Sequence, residues 1–137
     1  MHRDLKTDNL LYLPFSQSVV ACDFGVGVLT SIGMKAGPRG ALKYYPIKAI
    51  DDSKCYEPWC DEYFASLSLL EILKEGKIYP DLGVAQVIGL RKNGSKPEIC
   101  SKLVETYPDA ISWIQLIWNK MEAKLKLKAE LQIEFSY

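Results

Sequence analysis

Four polar side chains near the start of the chain are of types that could act together on a phosphate group. Asp4 and Lys6 lie two residues apart, Asn9 follows closely, and Asp23 comes fourteen residues after Asn9. A carboxylate can orient a hydroxyl and accept its proton, and an ammonium group can neutralise phosphate charge. Carboxylate and amide oxygens are the ligands that Mg²⁺ prefers. Asp4 and Lys6 are therefore candidate catalytic residues, and Asn9 and Asp23 are candidate metal ligands.

These side chains fall in two short motifs. The string HRDLKTDN at residues 2–9 resembles the catalytic loop H-R-D-L-K-x-x-N of eukaryotic protein kinases, and DFG at 23–25 resembles their metal-binding triplet. The resemblance implies Mg²⁺ and ATP as cofactors, with Lys6, Asn9 and Asp23 at the nucleotide, and phosphoryl transfer to a protein hydroxyl. Lys6 is the residue of the serine/threonine-type loop, so we favour that specificity over tyrosine.

The resemblance also implies supporting roles for the neighbouring residues. His2 and Arg3 would be structural, and Arg3 is a candidate partner for a phosphate on the activation loop. Phe24 and Gly25 would anchor and hinge the loop that follows them. Asp61 would hold the backbone of the H-R-D turn.

Local sequence patterns predict the elements that position the motifs. NLLYL (9–13) and SVVACDF (18–24) are β-branched or aromatic runs separated by the turn-like PFSQ, which predicts a hairpin. DEYFASLSLLEILKEG (61–76) predicts a helix, with Asp61 capping its start and Gly76 ending it. Its apolar residues surround the helix axis, so we expect this helix to lie in the middle of the domain.

Further helices are predicted later in the chain. One covers 83–92 and is ended by NGSKP, and another begins near Pro108 with apolar residues at helical spacing. In the tail, AKLKLKAELQIEF (123–135), apolar residues alternate as in a strand, but most of the residue types are strong helix formers. We favour a helix there.

The expected fold is therefore mainly α, with a small β-hairpin carrying both motifs, as in the C-terminal lobe of a protein kinase. Residues 1–120 would form this lobe and 121–137 a divergent tail. Within the lobe the resemblance places a catalytic loop at 2–9, the D-F-G triplet at 23–25, an activation segment at 23–50 and a central helix at 61–75.

The activation segment departs from the family pattern. The first nine residues of GALKYYPIKAI (40–50) match G-T-x-x-Y-x-A-P-E in length, but Ala41 stands where the family has the threonine that contacts the catalytic Asp. Lys48 stands where the family has a glutamate that enters a buried ion pair, and Leu125 stands where its arginine partner would be. Because both halves are missing, neither leaves an unpaired buried charge.

Two hydroxyl residues, Thr30 and Ser31, lie in the activation segment, where kinases often carry a switching phosphate. Arg3 and Lys35 are candidate partners for that charge. The alternative is that both hydroxyls are simply solvated loop residues.

The sequence has no Gly-rich loop and no lysine-bearing strand of an N-terminal kinase lobe, so we expect the isolated chain to be inactive. Three hypotheses stay open. The chain is a piece of a protein kinase, a pseudokinase-like module that binds a protein partner, or an incomplete gene product. The surface that would face the missing lobe is a candidate for association.

The composition of the chain limits the classes of partner that we expect it to bind. Lys plus Arg equals Asp plus Glu at 17 each, so no net charge favours nucleic acid or an acidic membrane. The four cysteines lack disulfide-scaffold density and zinc-ligand spacing, so we expect reduced thiols in a cytoplasmic protein. No apolar run is long enough to span a bilayer. The expected partners are ATP and a protein substrate or binding partner.

Overall fold

A computed structural model of the chain describes residues 1–29, 41–47, 50 and 56–134, with the backbone alone for 124–134. The described part is mainly helical with one small antiparallel sheet, which confirms the predicted mainly α class. Its strands and helices are β1 (Leu10–Leu13), β2 (Ser18–Ala21), α1 (Pro58–Lys74), α2 (Val84–Lys92), α3 (Ser101–Thr106) and α4 (Pro108–Glu134). Thr30, Ser31, Lys35, Lys48 and the Leu125 side chain lie outside the described residues, so the hypotheses that depend on them stay predictions.

The first helix, α1, lies at the centre of the core, as its apolar periphery predicts. Only Pro58, Glu62, Ile72 and Lys74 of its residues are exposed. Its fully buried apolar side chains pack against α4, and each large one contributes about 1.5–3 kcal/mol of burial free energy. The core side chains from the two helices include Cys60, Phe64, Leu67, Leu70, Ile111, Ile114 and Trp118.

The ends of α1 differ from the prediction. The helix begins at Pro58, whose missing N–H costs nothing in a first turn, so Asp61 is not the cap. This leaves the Asp61 carboxylate in the first turn, free to bind other backbone groups. At the other end Glu75, with φ 54°, takes the left-handed conformation expected of Gly76. The Gly76 N–H donates to the Glu71 carbonyl at 3.1 Å, as in a Schellman motif.

The predicted hairpin is present. The strands β1 and β2 pair antiparallel, with Leu10 opposite Ala21 and Leu13 opposite Ser18. The second strand is shorter than predicted, because it ends before the DFG triplet. Apolar side chains are exposed on both faces of the hairpin, namely Leu11, Tyr12, Leu13, Phe15, Val19 and Val20. The hairpin therefore links the two motifs while presenting apolar surface that no described residue covers.

The remaining helices follow the predicted order with one addition. The helix α2 ends before Gly94, whose φ of 80° suits glycine. The short α3 was not predicted, because six residues give too little periodicity to detect. The helix α4 continues to Glu134, so the tail is helical rather than extended, as its composition favoured. Among the described helices, none is both long and apolar enough to cross a membrane.

Candidate active site

The backbone at the start of the chain is held by Asp61. Its Oδ2 accepts a hydrogen bond from the His2 N–H at 2.7 Å, and its Oδ1 accepts one from the Arg3 N–H at 2.8 Å. The Tyr56 hydroxyl donates to the same Oδ1 at 2.6 Å. Arg3 has φ 70°, a left-handed conformation that costs a non-glycine residue about 1–2 kcal/mol. Charge-assisted bonds to Asp61 offset that cost.

The His2 ring ties the same turn to the segment after β2. Nδ1 accepts from the Asp4 N–H at 3.3 Å, so Nε2 carries the proton and donates to the Cys22 carbonyl at 2.9 Å. The Phe24 ring lies 4.6 Å from the His2 ring, centroid to centroid, although Phe24 is otherwise largely exposed. Arg3 adds a third link, because its Nε donates to the Val26 carbonyl. His2 and Arg3 are thus buried structural residues here.

The Asp4 carboxylate is buried and receives three donors from different parts of the chain. Oδ1 accepts from the Ala41 N–H at 2.9 Å, and Oδ2 accepts from Asn9 Nδ2 at 3.0 Å. Lys6 Nζ lies 3.2 Å from the same Oδ2, and the Lys6 side chain is partly exposed. Although Ala41 has no side-chain hydroxyl, its backbone N–H contacts Asp4. The carboxylate is therefore fixed in orientation, with an ammonium group between it and solvent.

Asn9 and Asp23 are the candidate Mg²⁺ ligands. Asn9 Nδ2 donates to both the carbonyl and the carboxylate of Asp4, which leaves Oδ1 without a donor in the described part of the chain. The Cys22 N–H donates to the Asn9 carbonyl at 2.9 Å, which brings the backbone beside Asp23 to Asn9. The Asp23 carboxylate is exposed and accepts from the Gly25 N–H at 3.2 Å. A Cβ on Gly25 would lie 3.1 Å from Asp23 Oδ1, so glycine keeps that oxygen accessible.

The donor chemistry of these two residues fits Mg²⁺. The described residues contain no group of three His, Cys, Asp or Glu side chains that could hold a metal ion. Magnesium does not require such a group, since it keeps several waters and typically takes one or two protein oxygens together with phosphate oxygens. Asn9 and Asp23 can supply oxygens of this kind.

A buried glutamate that the sequence did not single out as a site residue lies beside this loop. Glu71, on α1, accepts from the Thr7 hydroxyl at 2.9 Å, the Tyr44 hydroxyl, and the Ile78 N–H at 3.2 Å. Lys77 Nζ is 3.4 Å from Glu71. Burial, and then the Glu71 carboxylate, raise the pKa of Tyr44. In the sequence, Glu71 could have been found as a lone acidic residue within an apolar stretch of the helix.

A buried arginine holds the segment that contacts Asp4. Arg91, on α2, donates through Nη1 to the carbonyls of Lys43 and Tyr45 and through Nη2 to the Tyr63 hydroxyl at 2.7 Å. Its guanidinium lies 5.0 Å from the Tyr63 ring centroid. The segment 41–47 is thus anchored from α2. No sequence signal distinguished Arg91 from an exposed helix-end arginine.

Within the described residues, then, Asp4, Lys6 and Asn9 are in direct contact, and Asp23 is joined to them through the backbone beside it. Asp61 and Arg91 hold the two segments that supply these contacts. Comparison of the chain with protein-family models found no match, and comparison with curated proteins found none either. The functional conclusion therefore depends on the geometry and chemistry of the site.

Proposed function

We propose that this chain is the C-terminal lobe of a protein kinase of the serine/threonine type, whose site transfers the γ-phosphoryl group of Mg²⁺-ATP to a protein hydroxyl. One observation carries the proposal. The buried Asp4 carboxylate is oriented by Asn9 and Ala41 and lies in contact with the partly exposed Lys6. This arrangement of an oriented base beside a cation is what phosphoryl transfer requires of its protein groups.

Each residue has a role in that reaction. Asp4 Oδ1 keeps a lone pair beside its bond from Ala41, and Oδ2 gains one when Lys6 turns away, so the carboxylate can orient a substrate hydroxyl and accept its proton. Lys6 can turn from Asp4 toward a γ-phosphate, because its side chain is partly exposed. Asn9 and Asp23 would hold Mg²⁺, which would neutralise the charge of the phosphate groups. The Asp61 bonds keep the loop that carries Asp4 in one conformation.

A partner-binding module is the second candidate. The observation that favours it is the uncharged hairpin, whose apolar side chains are exposed on both faces. Phosphoryl transfer depends on positioning and on preorganised charges, and residues 1–137 supply no glycine-rich loop to cover the phosphates. The hairpin would then act by binding protein, whether or not the site retains activity.

Binding of ATP with Mn²⁺, a paramagnetic substitute for Mg²⁺, tests the proposed function in the chain itself. In an amide NMR spectrum of the 137-residue protein, we expect selective broadening at Asn9, Asp23 and Gly25, even if binding is weak. The variant Asp23→Asn should remove the broadening, whereas Asp81→Asn, at an exposed position, should leave it unchanged. Broadening confined to other acidic residues would contradict the proposed function.

A further inference from the structure

A cleft distant in sequence from the Asp4 loop opens between α1, α2 and α4. Its volume is about 490 Å³, within the range of small-molecule sites. None of the candidate phosphoryl-transfer residues lines it. The side chains that matter for its chemistry are Tyr63, Arg91, Lys96, Trp118, Met121 and Glu122. The walls therefore combine aromatic and aliphatic side chains with cationic groups and one carboxylate, that of Glu122.

One of those cations, Arg91, is buried and is held by neutral groups of the described residues. The residue is only 8% exposed, yet its three hydrogen bonds go to two carbonyls and one phenol, all neutral acceptors. No carboxylate of the described residues forms an ion pair with it. Buried arginines are normally paired, because an uncompensated charge is costly to remove from water. The face of Tyr63 offsets part of that cost.

Arg91 also retains unused donors. A guanidinium has five N–H groups, and three are engaged by Lys43, Tyr45 and Tyr63. Within the described part of the chain, the Nε–H and one Nη2–H have no acceptor, so they can donate to a ligand. Lys96, at the rim of the cleft, is different, because its Nζ lies 2.6 Å from Glu122 and both side chains are about half exposed. Of these two cations, Arg91 is thus the one that has no anionic partner among the described residues.

Neighbouring tyrosines respond to this charge. Burial raises the pKa of Tyr63 to about 12, and the Arg91 charge opposes the rise. Burial likewise raises the pKa of Tyr79, again against the effect of Arg91. Because both phenols stay neutral at ordinary pH, neither supplies the missing negative charge.

We propose that this cleft binds a small organic acid. Its carboxylate would accept from the free N–H groups of Arg91, and its apolar body would lie along Trp118 and Met121. A carboxylate fits because it can take two guanidinium donors at once. Inorganic phosphate would gain nothing from the apolar walls, and a neutral apolar molecule would leave the Arg91 charge uncompensated.

Calorimetric titration of the full chain with 4-phenylbutyrate tests the proposal. We expect saturable binding of one molecule per chain, with a change in the tryptophan fluorescence of the chain. The matched neutral amide, 4-phenylbutanamide, should bind about tenfold more weakly or worse, because it lacks the charge that Arg91 would pair with. Inorganic phosphate should also bind more weakly than the acid. Equal affinity for acid and amide, tighter binding of phosphate, or no binding of the acid at millimolar concentration would each overturn the proposal.

Three variants locate the binding. Arg91→Lys keeps the charge but loses the planar guanidinium that donates two hydrogen bonds to a carboxylate. It should weaken acid binding by about tenfold while leaving amide binding unchanged. Met121→Trp should fill the cleft and abolish binding without touching Arg91. Lys102→Gln, at an exposed position on α3, is the matched control and should bind as the parent does. If circular dichroism shows Arg91→Lys unfolded, Met121→Trp decides, and binding that survives in it refutes the site.

Discussion

Asp61 and Arg91 hold two loops in the same way with opposite charge. Asp61 accepts from two backbone N–H groups and the Tyr56 hydroxyl, whereas Arg91 donates to two backbone carbonyls and the Tyr63 hydroxyl. The difference lies in completeness. The negative charge of Asp61 receives three hydrogen bonds. Arg91, in contrast, keeps N–H groups without an acceptor among the described residues, and no carboxylate of those residues forms an ion pair with it. Asp61 is thus a structural clamp whose hydrogen bonds are complete, and Arg91 is a clamp that can also bind a ligand.

The largest effect is expected from Asp61→Ala. This change leaves the N–H groups of His2 and Arg3 and the Tyr56 hydroxyl without their acceptor, and removes what offsets the left-handed conformation of Arg3. We expect a loss of about 3 kcal/mol or more in the free energy of unfolding, measured by urea denaturation. Glu62→Ala, next to it on the exposed side of α1, is the control and should cost about 0.5 kcal/mol or less. Similar losses for both variants would show that Asp61 is not a clamp.

A smaller loss is expected from Arg91→Met, a replacement of similar length without charge. The carbonyls of Lys43 and Tyr45 lose their donors, but a buried charge without a counter-ion is removed at the same time. The two effects oppose each other, so we expect about 1–2 kcal/mol of destabilisation by urea denaturation. Lys102→Met serves as the surface control. A loss as large as that of Asp61→Ala would mean that the Arg91 charge is already compensated.

The sequence predicted one of these clamps and not the other. The difference depends on whether the groups that each residue binds can be recognised in the sequence. Asp61 was assigned through the resemblance, because its motif and the H-R-D motif are both readable as contiguous strings. Arg91 binds carbonyls more than forty residues away, and backbone acceptors leave no trace in residue types. The hairpin and α1 were predictable from local periodicity. The contact of the Ala41 N–H with Asp4 was not, because a backbone donor is independent of its side chain.

The two clamps can also be compared at alkaline pH, because each contains a buried tyrosine whose ionisation affects the stability of the fold. Burial and the Asp61 carboxylate raise the pKa of Tyr56, and burial raises that of Tyr63 to about 12 although Arg91 opposes it. The unfolded phenol loses its proton near pH 10, so above that pH the unfolded state holds fewer protons and stability falls as pH rises. Each such tyrosine should contribute a slope of up to about 1.4 kcal/mol per pH unit between pH 10 and its folded pKa.

Urea denaturation at pH 9, 10 and 11 measures that slope. Tyr56→Phe should flatten it, and so should Tyr63→Phe below about pH 12, where its phenol still holds its proton in the folded state. The exposed Tyr12→Phe is the matched control and should leave the slope unchanged. Stability that rises between pH 10 and 11 would contradict the direction of both pKa shifts.

The smallest effect is expected at Asp4, which Asp61 holds in place. Asparagine at this position keeps an oxygen for the Ala41 N–H, but its amide nitrogen replaces the Oδ2 that accepts from Asn9, so Asp4→Asn should still fold with a loss of about 1 kcal/mol. In phosphotransfer from Mg²⁺-ATP, the isolated chain and Asp4→Asn should both show no measurable turnover, because no glycine-rich loop aligns the γ-phosphate. In a longer product carrying an N-lobe, the same substitution should abolish activity. Robust turnover by residues 1–137 that disappears in Asp4→Asn would show that one well-clamped loop suffices for catalysis, and that the Asp61 clamp, rather than a covering lobe, supplies the decisive positioning.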